Sequence, residues 1–166
     1  MVEVFPGETG QAPRKAGDTH MKKILLDMDV GIDDSVALAY AMASPDIDLV
    51  GVTATFGNVH VGQSVCNARF LLDLLDARDV PVEAGLSHPL GAEKFLRSND
   101  VVSIHGADGV GNIGEKYGVS VPDKDQLDAS GRGVDFILDA ARRYGQDLTL
   151  VPTGPLTNIA AAISQD

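Results

Sequence analysis

From Lys22 onward the chain alternates between two hydrophobic periods. "KKILLDMD" is a short, nearly continuous apolar run of strand length. "DDSVALAYAMAS" follows without a breaker and predicts a helix, stopped by Ser44-Pro45. "IDLVGVTAT" is β-branched and ends at Gly57-Asn58, a second strand. Val61, Val65, Ala68, Leu72 and Leu75 recur at helical spacing and predict a helix to about Asp76. "VPVEAG" reads as a short third strand. A Gly-rich segment without periodicity runs from Leu86 to about Asp125. Val134, Ile137, Leu138, Ala141 and Tyr144 mark another helix, "DLTLVPT" another strand, and "GPLTNIAAAI" a helix with Pro155 in its first turn.

Strands that alternate with helices predict an α/β fold, a mostly parallel sheet with helices on both faces. In such sheets ligands gather beyond the carboxyl ends of the strands. The polar residues fall there. Asp29, Asp33 and Asp34 follow the first strand, Asn58 the second, and Thr153-Gly154 the last, so one rim collects all three groups.

The 166 residues suit one domain, and an apolar fraction of 44% supports a core of useful size. With 13 Lys plus Arg against 24 Asp plus Glu the net charge is −11, and no basic cluster stands out. A nucleic-acid backbone and an anionic membrane are thereby excluded as partners. The single cysteine, Cys66, rules out an intrachain disulfide and a cysteine metal cluster, and its helical setting predicts an inert, buried thiol. No stretch is apolar for long enough to span a bilayer. Residues 1–21 mix Gly, Pro and charge without an apolar signal core, and predict a disordered N-terminal extension on a cytoplasmic protein.

Close carboxylates repel unless their charge is compensated. Asp27 and Asp29 are two apart on a strand and are expected to share a face. Asp33 and Asp34 fall in a first helical turn, where free N–H groups favour anions, so either could serve as a cap. Asp29 has no such explanation. Three carboxylates converging on a cleft call for a cation, and an oxygen-only environment selects Ca²⁺ or Mg²⁺ over Zn²⁺. The spacing is not that of an EF-hand. "GVGNIG" formally matches a dinucleotide fingerprint, but no strand precedes it and no good helix follows, so a flexible lid over the rim is the expected use of these glycines.

"LLDMDVGIDD", "TFGN", "HGADGVG" and "LVPTGPLTN" resemble, in order and spacing, the calcium-dependent nucleoside hydrolases of the inosine-uridine-preferring type, from about Lys22 to Ile163. One departure is Val30, where that family usually has Pro; as a turn residue it is expected to matter little. The resemblance implies a Rossmann-like strand order and hydrolysis of the N-glycosidic bond of ribonucleosides to free base and ribose. Ca²⁺ would be bound by the side chains of Asp29 and Asp34 and the backbone carbonyl of Thr153. The ion would hold the attacking water and the ribose hydroxyls, with Asp29 as general base. Asp33 would accept from a ribose hydroxyl, and Asn58 would help hold the sugar. His105 matches a mobile-loop histidine that touches substrate, against the alternative of an ordinary surface-loop histidine. A homo-oligomer, dimer or tetramer, in purine and pyrimidine salvage is implied as well.

The same resemblance makes 22–166 the amino-terminal portion of a single nucleoside hydrolase-like domain, with an incomplete sheet. Two other readings compete. A haloacid-dehalogenase-like Mg²⁺ phosphatase would use Asp27 as nucleophile and Asp29 as acid/base, but Gly31 stands where that pattern wants Thr or Val. A non-catalytic relative would act as a binding or assembly module.

Overall fold

The computed structural model describes residues 21–119 and 131–165. The predicted extension therefore lies outside the described residues except for Met21, as does the end of the Gly-rich segment beyond Val119. Among the described residues, strands β1 (Lys22–Met28), β2 (Ile47–Ala54), β3 (Val82–Ala84) and β4 (Leu148–Pro152) form one sheet. Its order is β3-β2-β1-β4 and every pairing is parallel, as the alternation predicts. Helices α1 (Ile32–Ala43) and α2 (Val61–Leu74) cover one face, and α4 (Arg132–Tyr144) and α5 (Thr157–Gln165) the other.

β1 is hydrogen-bonded on both edges and packed on both faces, which is why Ile24, Leu25 and Leu26 follow one another without polar alternation. Leu26 and Met28 enter the core with Leu38, Met42, Val65 and Leu72 of α1 and α2. Leu25 points the other way, toward Val134, Ile137 and Leu138 of α4 and Ala161 of α5. Asp27 shares the direction of Leu25 and is wholly buried. In register, Asp27 stands opposite Thr53 of β2 and Pro152 of β4, so the three strands end level and their following loops meet at one rim.

Three local expectations change. A short helix, α3 (Asn99–His105), lies inside the Gly-rich segment, with the Ser98 hydroxyl capping it through the Asp100 N–H. α5 begins at Thr157, so Pro155 precedes the helix instead of occupying its first turn. Val30 is no neutral turn residue: its side chain is fully buried in the core at φ 37°, a backbone region that β-branched residues avoid. Cys66 is half-buried, and burial raises its thiol above the ordinary range. No described helix is long and apolar enough to cross a membrane.

α4 approaches the end of β3 through Gly133, where a Cβ would meet Gly85 Cα and N at 2.9 Å. Backbone cannot yield as a side chain does, so Gly133→Val must push α4 off the sheet. The expected loss is about 1–3 kcal/mol of unfolding free energy, measured by urea denaturation of the full chain. Unchanged stability would show that the helix is free to shift.

Candidate functional site

The rim begins with Asp29, one residue past the end of β1. The Asn58 N–H donates to Asp29 Oδ2 at 2.6 Å, fixing the carboxyl toward the loop after β2. Gly57 makes this approach possible. It sits at φ 148°, and a Cβ there would fall on Asp29 Oδ2 itself. Gly154 does the same from the β4 side, where a Cβ would come within 3.2 Å of Asp29 Cβ and 2.8 Å of Thr55 Cγ2.

Asp34 comes from the first turn of α1. Its Oδ2 accepts from the Gly31 N–H at 2.9 Å and its Oδ1 from the Thr153 hydroxyl at 2.7 Å. The capping reading is thus half right: Asp34 caps the helix and also reaches across to the β4 loop. That loop is itself tied down, since the Thr153 N–H donates to the Asp27 carbonyl at 2.8 Å. Asp29 and Asp34 are 6% and 2% exposed, and their carboxyls are near enough for the Asp34 charge to act on Asp29. Burial, with the Asp34 charge and hydrogen bond in support and the Asn58 N–H opposing, pushes Asp29 up to about 7.

The other two acids of the motif part company with this pair. Asp33 is turned outward, its side chain 75% exposed and 3.7 Å from His105 Nδ1. Asp27 faces the α5 side, where its Oδ1 accepts from the Thr53 hydroxyl at 2.6 Å and from Asn158 Nδ2 at 2.8 Å. Wholly buried and so engaged, Asp27 is not placed to attack a substrate, which removes the phosphatase assignment of it as nucleophile. The expected convergence of three carboxylates is therefore a convergence of two. Among the described residues no group of three or more acidic, His or Cys side chains could hold a metal ion. The paired carboxyls still fit a hard cation, because they lie close together and largely out of water, with a hydroxyl bonded to one of them.

His105 reaches the rim from the far end of α3. Its Nδ1 accepts from the Ile32 N–H at 3.2 Å and so supplies the cap that Gly31, lacking a side chain, cannot give α1. That bond leaves Nδ1 without a proton in the neutral ring. The aligned N–H bond prevails over the longer approach to Asp33, which would need the opposite tautomer. Gly31 stands amid these groups, and a Cβ there would meet His105 Nδ1 at 2.7 Å, Asp33 Oδ1 at 2.9 Å and the Asn58 amide. Its φ is ordinary, so the glycine is needed for space rather than for conformation.

The segment expected to be a flexible lid is anchored at named points. Asp108 Oδ1 accepts from the Val110 and Asn112 N–H groups and Oδ2 from that of Gly114, at 2.8–2.9 Å, and these bonds hold its carboxyl below the usual range despite partial burial. Arg97 donates to the Gly106 and Ala107 carbonyls, both at 2.7 Å, and Phe95 packs on Phe56 with ring centroids 4.9 Å apart. Two residues that sequence reasoning passed over, Asn67 and Asn158, hold the rim from beneath. Asn158 Oδ1 accepts from the Leu86 N–H at 2.8 Å while its Nδ2 serves Asp27. Nothing in the hydrophobic pattern marks either residue except an amide placed at a helix core position.

Comparison with known proteins places these residues in company. The profile of a family described as "Inosine-uridine preferring nucleoside hydrolase" matches residues 24–166. A probable uridine nucleosidase 2 of Arabidopsis thaliana is 37% identical over 145 residues, covering 87% of this chain and 42% of that protein. An inosine-uridine preferring nucleoside hydrolase of Leishmania major is 39% identical over 144 residues, covering 86% and 43%. A solved purine-preferring ribonucleoside hydrolase from Gardnerella vaginalis superposes with a TM-score of 0.74 at 42% identity, covering 87% of this chain and 44% of that one. The chain thus spans less than half the length of these relatives.

The pairing of Asp29 with Asp34 has a measurable consequence. In the unfolded chain Asp29 releases its proton at about 3.9, whereas the folded chain retains it to about 7. Folded protein therefore binds more protons across that window, and metal-free stability falls as pH rises through it. Asp29→Asn should flatten this fall and melt above wild type at pH 8 in chelator. Asp27, also raised by burial, leaves a residual slope of the same sign. Identical melting profiles at pH 5 and pH 8 for both proteins would refute the cause given.

Proposed function

This chain belongs to the inosine-uridine preferring nucleoside hydrolase family, and we propose that its rim is the cation- and ribose-binding part of a site that hydrolyses ribonucleosides to free base and ribose. The observation that carries the reading is the buried pair Asp29 and Asp34, fixed by the Asn58 N–H and the Thr153 hydroxyl at the carboxyl ends of the strands. Asp29 and Asp34 through their carboxylates, and Thr153 through its carbonyl, would hold Ca²⁺, whose oxygen preference matches this donor set. Bound there, the ion supplies positive charge that lowers the pKa of a water and offsets the repulsion between the two carboxylates.

The chain's own residues account for the rest. Asp29, desolvated and held by the Asn58 N–H, takes a proton from the attacking water as general base. Asp33 projects from the same turn into solvent, where it accepts from a ribose hydroxyl. The Asn58 amide beside Gly31 holds the sugar on the other flank. His105, with Nδ1 engaged by Ile32, offers Nε2–H to the substrate. Breaking the bond from C1′ to the base builds positive charge on the sugar, and nearby carboxylates stabilise that charge electrostatically. A homo-oligomer acting in the cytoplasm on salvaged nucleosides completes the proposal.

The test is release of base from inosine and uridine by the purified chain, with p-nitrophenyl phosphate as a control substrate, each with and without chelator. Chelator-sensitive release of base is expected, and Asp29→Ala should lower it by about 10²–10⁴-fold. Phosphate release would instead favour the phosphatase reading. Calorimetric binding of Ca²⁺ without turnover would make the chain a binding or assembly module.

A further inference from the structure

Asn67 lies on the inner face of α2, fully buried, with an amide that must be bonded if its burial is not to cost stability. It is bonded at every point the structure tests. Nδ2 donates to the Val30 carbonyl at 3.2 Å and to the Asp108 carbonyl at 2.8 Å, and Oδ1 accepts from Gln63 Nε2, one turn earlier, at 2.8 Å. The two carbonyls belong to different loops. Val30 follows Asp29 directly at a positive φ, and its carbonyl faces α2. Asp108 centres the loop that ends α3, three residues from His105. The loops meet face to face here: a Cβ on Gly109 would fall 3.0 Å from Asn67 Nδ2, 3.2 Å from the Val30 carbonyl oxygen and 2.6 Å from Val59 Cγ1.

We propose that Asn67 is a positioning residue that clamps the turn carrying Asp29 to the loop carrying His105, and so sets His105 against the amino end of α1. A single amide with both hydrogens committed fixes the distance between two carbonyls as no apolar side chain can. The consequence for substrate rests on the nucleoside reading above; the clamp itself is a property of the folded chain. A residue that merely filled the core would, when removed, lower stability evenly. A clamp, when opened, frees two named segments and leaves the sheet as it was.

The experiment uses the full chain without cation or nucleoside. Asn67→Leu keeps the volume and removes the donors without adding a charge. Amide hydrogen exchange is then read by NMR at Ile32, Val110, Asn112 and Gly114, with Leu26 and Val52 as reference, together with the ¹⁵N resonance of His105 Nδ1. We expect exchange at least tenfold faster at the four loop amides, unchanged exchange at the reference pair, and a His105 Nδ1 shift toward that of an unbonded ring. If Asn67→Leu does not fold, Gln63→Met, which removes only the bond to Asn67 Oδ1, should give a smaller change at the same four amides. Equal acceleration everywhere, or an unmoved Ile32 and His105 in a folded variant, would overturn the proposal. Failure of the nucleoside reading would register separately, as wild-type protein that releases no base yet shows this exchange pattern.

Discussion

Two carboxyls held in contact out of water are the constraint around which this chain is arranged. Nothing about a parallel sheet requires Asp29 to meet Asp34, and the meeting is unfavourable until a proton or a cation intervenes. The surrounding chain makes it geometrically unavoidable. Gly57 and Gly154 leave the bare backbone against which Asp29 lies, and the Asn58 N–H holds it there. The Thr153 hydroxyl and the Gly31 N–H hold Asp34 by both oxygens. Bonds that keep a repulsive pair together are a recurring mark of function, since stability alone would have dispersed it.

The same motif places a third acid in the opposite role. Asp27 is two residues from Asp29 yet belongs to the interior, where Thr53 and Asn158 satisfy one of its oxygens. Through Asn158 it joins the ends of β1 and β2, the turn after β3 and α5, and through its carbonyl it receives the Thr153 N–H. It acts as a brace beneath the rim. The level ending of β1, β2 and β4 is what lets one buried carboxyl reach all of these at once.

The strands and the long helices were legible because each combines an apolar run with a clear stop, such as Ser44-Pro45 or Gly57-Asn58. α3 was not, since "NDVVSIH" is short, sits among glycines and buries no residue fully, so no periodic signal arises. Within the site, Asp29, Asp34, Asn58 and Thr153 could be placed together because each follows a strand end, and topology puts strand ends side by side. The differing fates of Asp27 and Asp33 could not be read. One depends on which way β1 presents its last side chains, the other on a helix register fixed by tertiary contacts. Asn67 and Asn158 escaped for a related reason: an amide in a helix shows its purpose only when the loops it serves are in place. The Gly-rich segment reads as loose by composition, yet Asp108 and Arg97 bond its carbonyls and N–H groups from within.

Val30 shows what such an arrangement demands of the chain that adopts it. Its left-handed backbone costs roughly 1–3 kcal/mol, while its buried side chain contributes roughly 1.5–3 kcal/mol by leaving water. Glycine would relieve the first and forfeit the second, so the two substitutions lie close in free energy and selection for robustness has little to choose between them. They differ in freedom. A glycine hinge beside the paired acids would let the turn sample many directions in the unliganded protein, whereas valine, wedged among Met28 and its neighbours, commits the turn in advance. Rigidity at this position is thus obtained at almost no net thermodynamic cost.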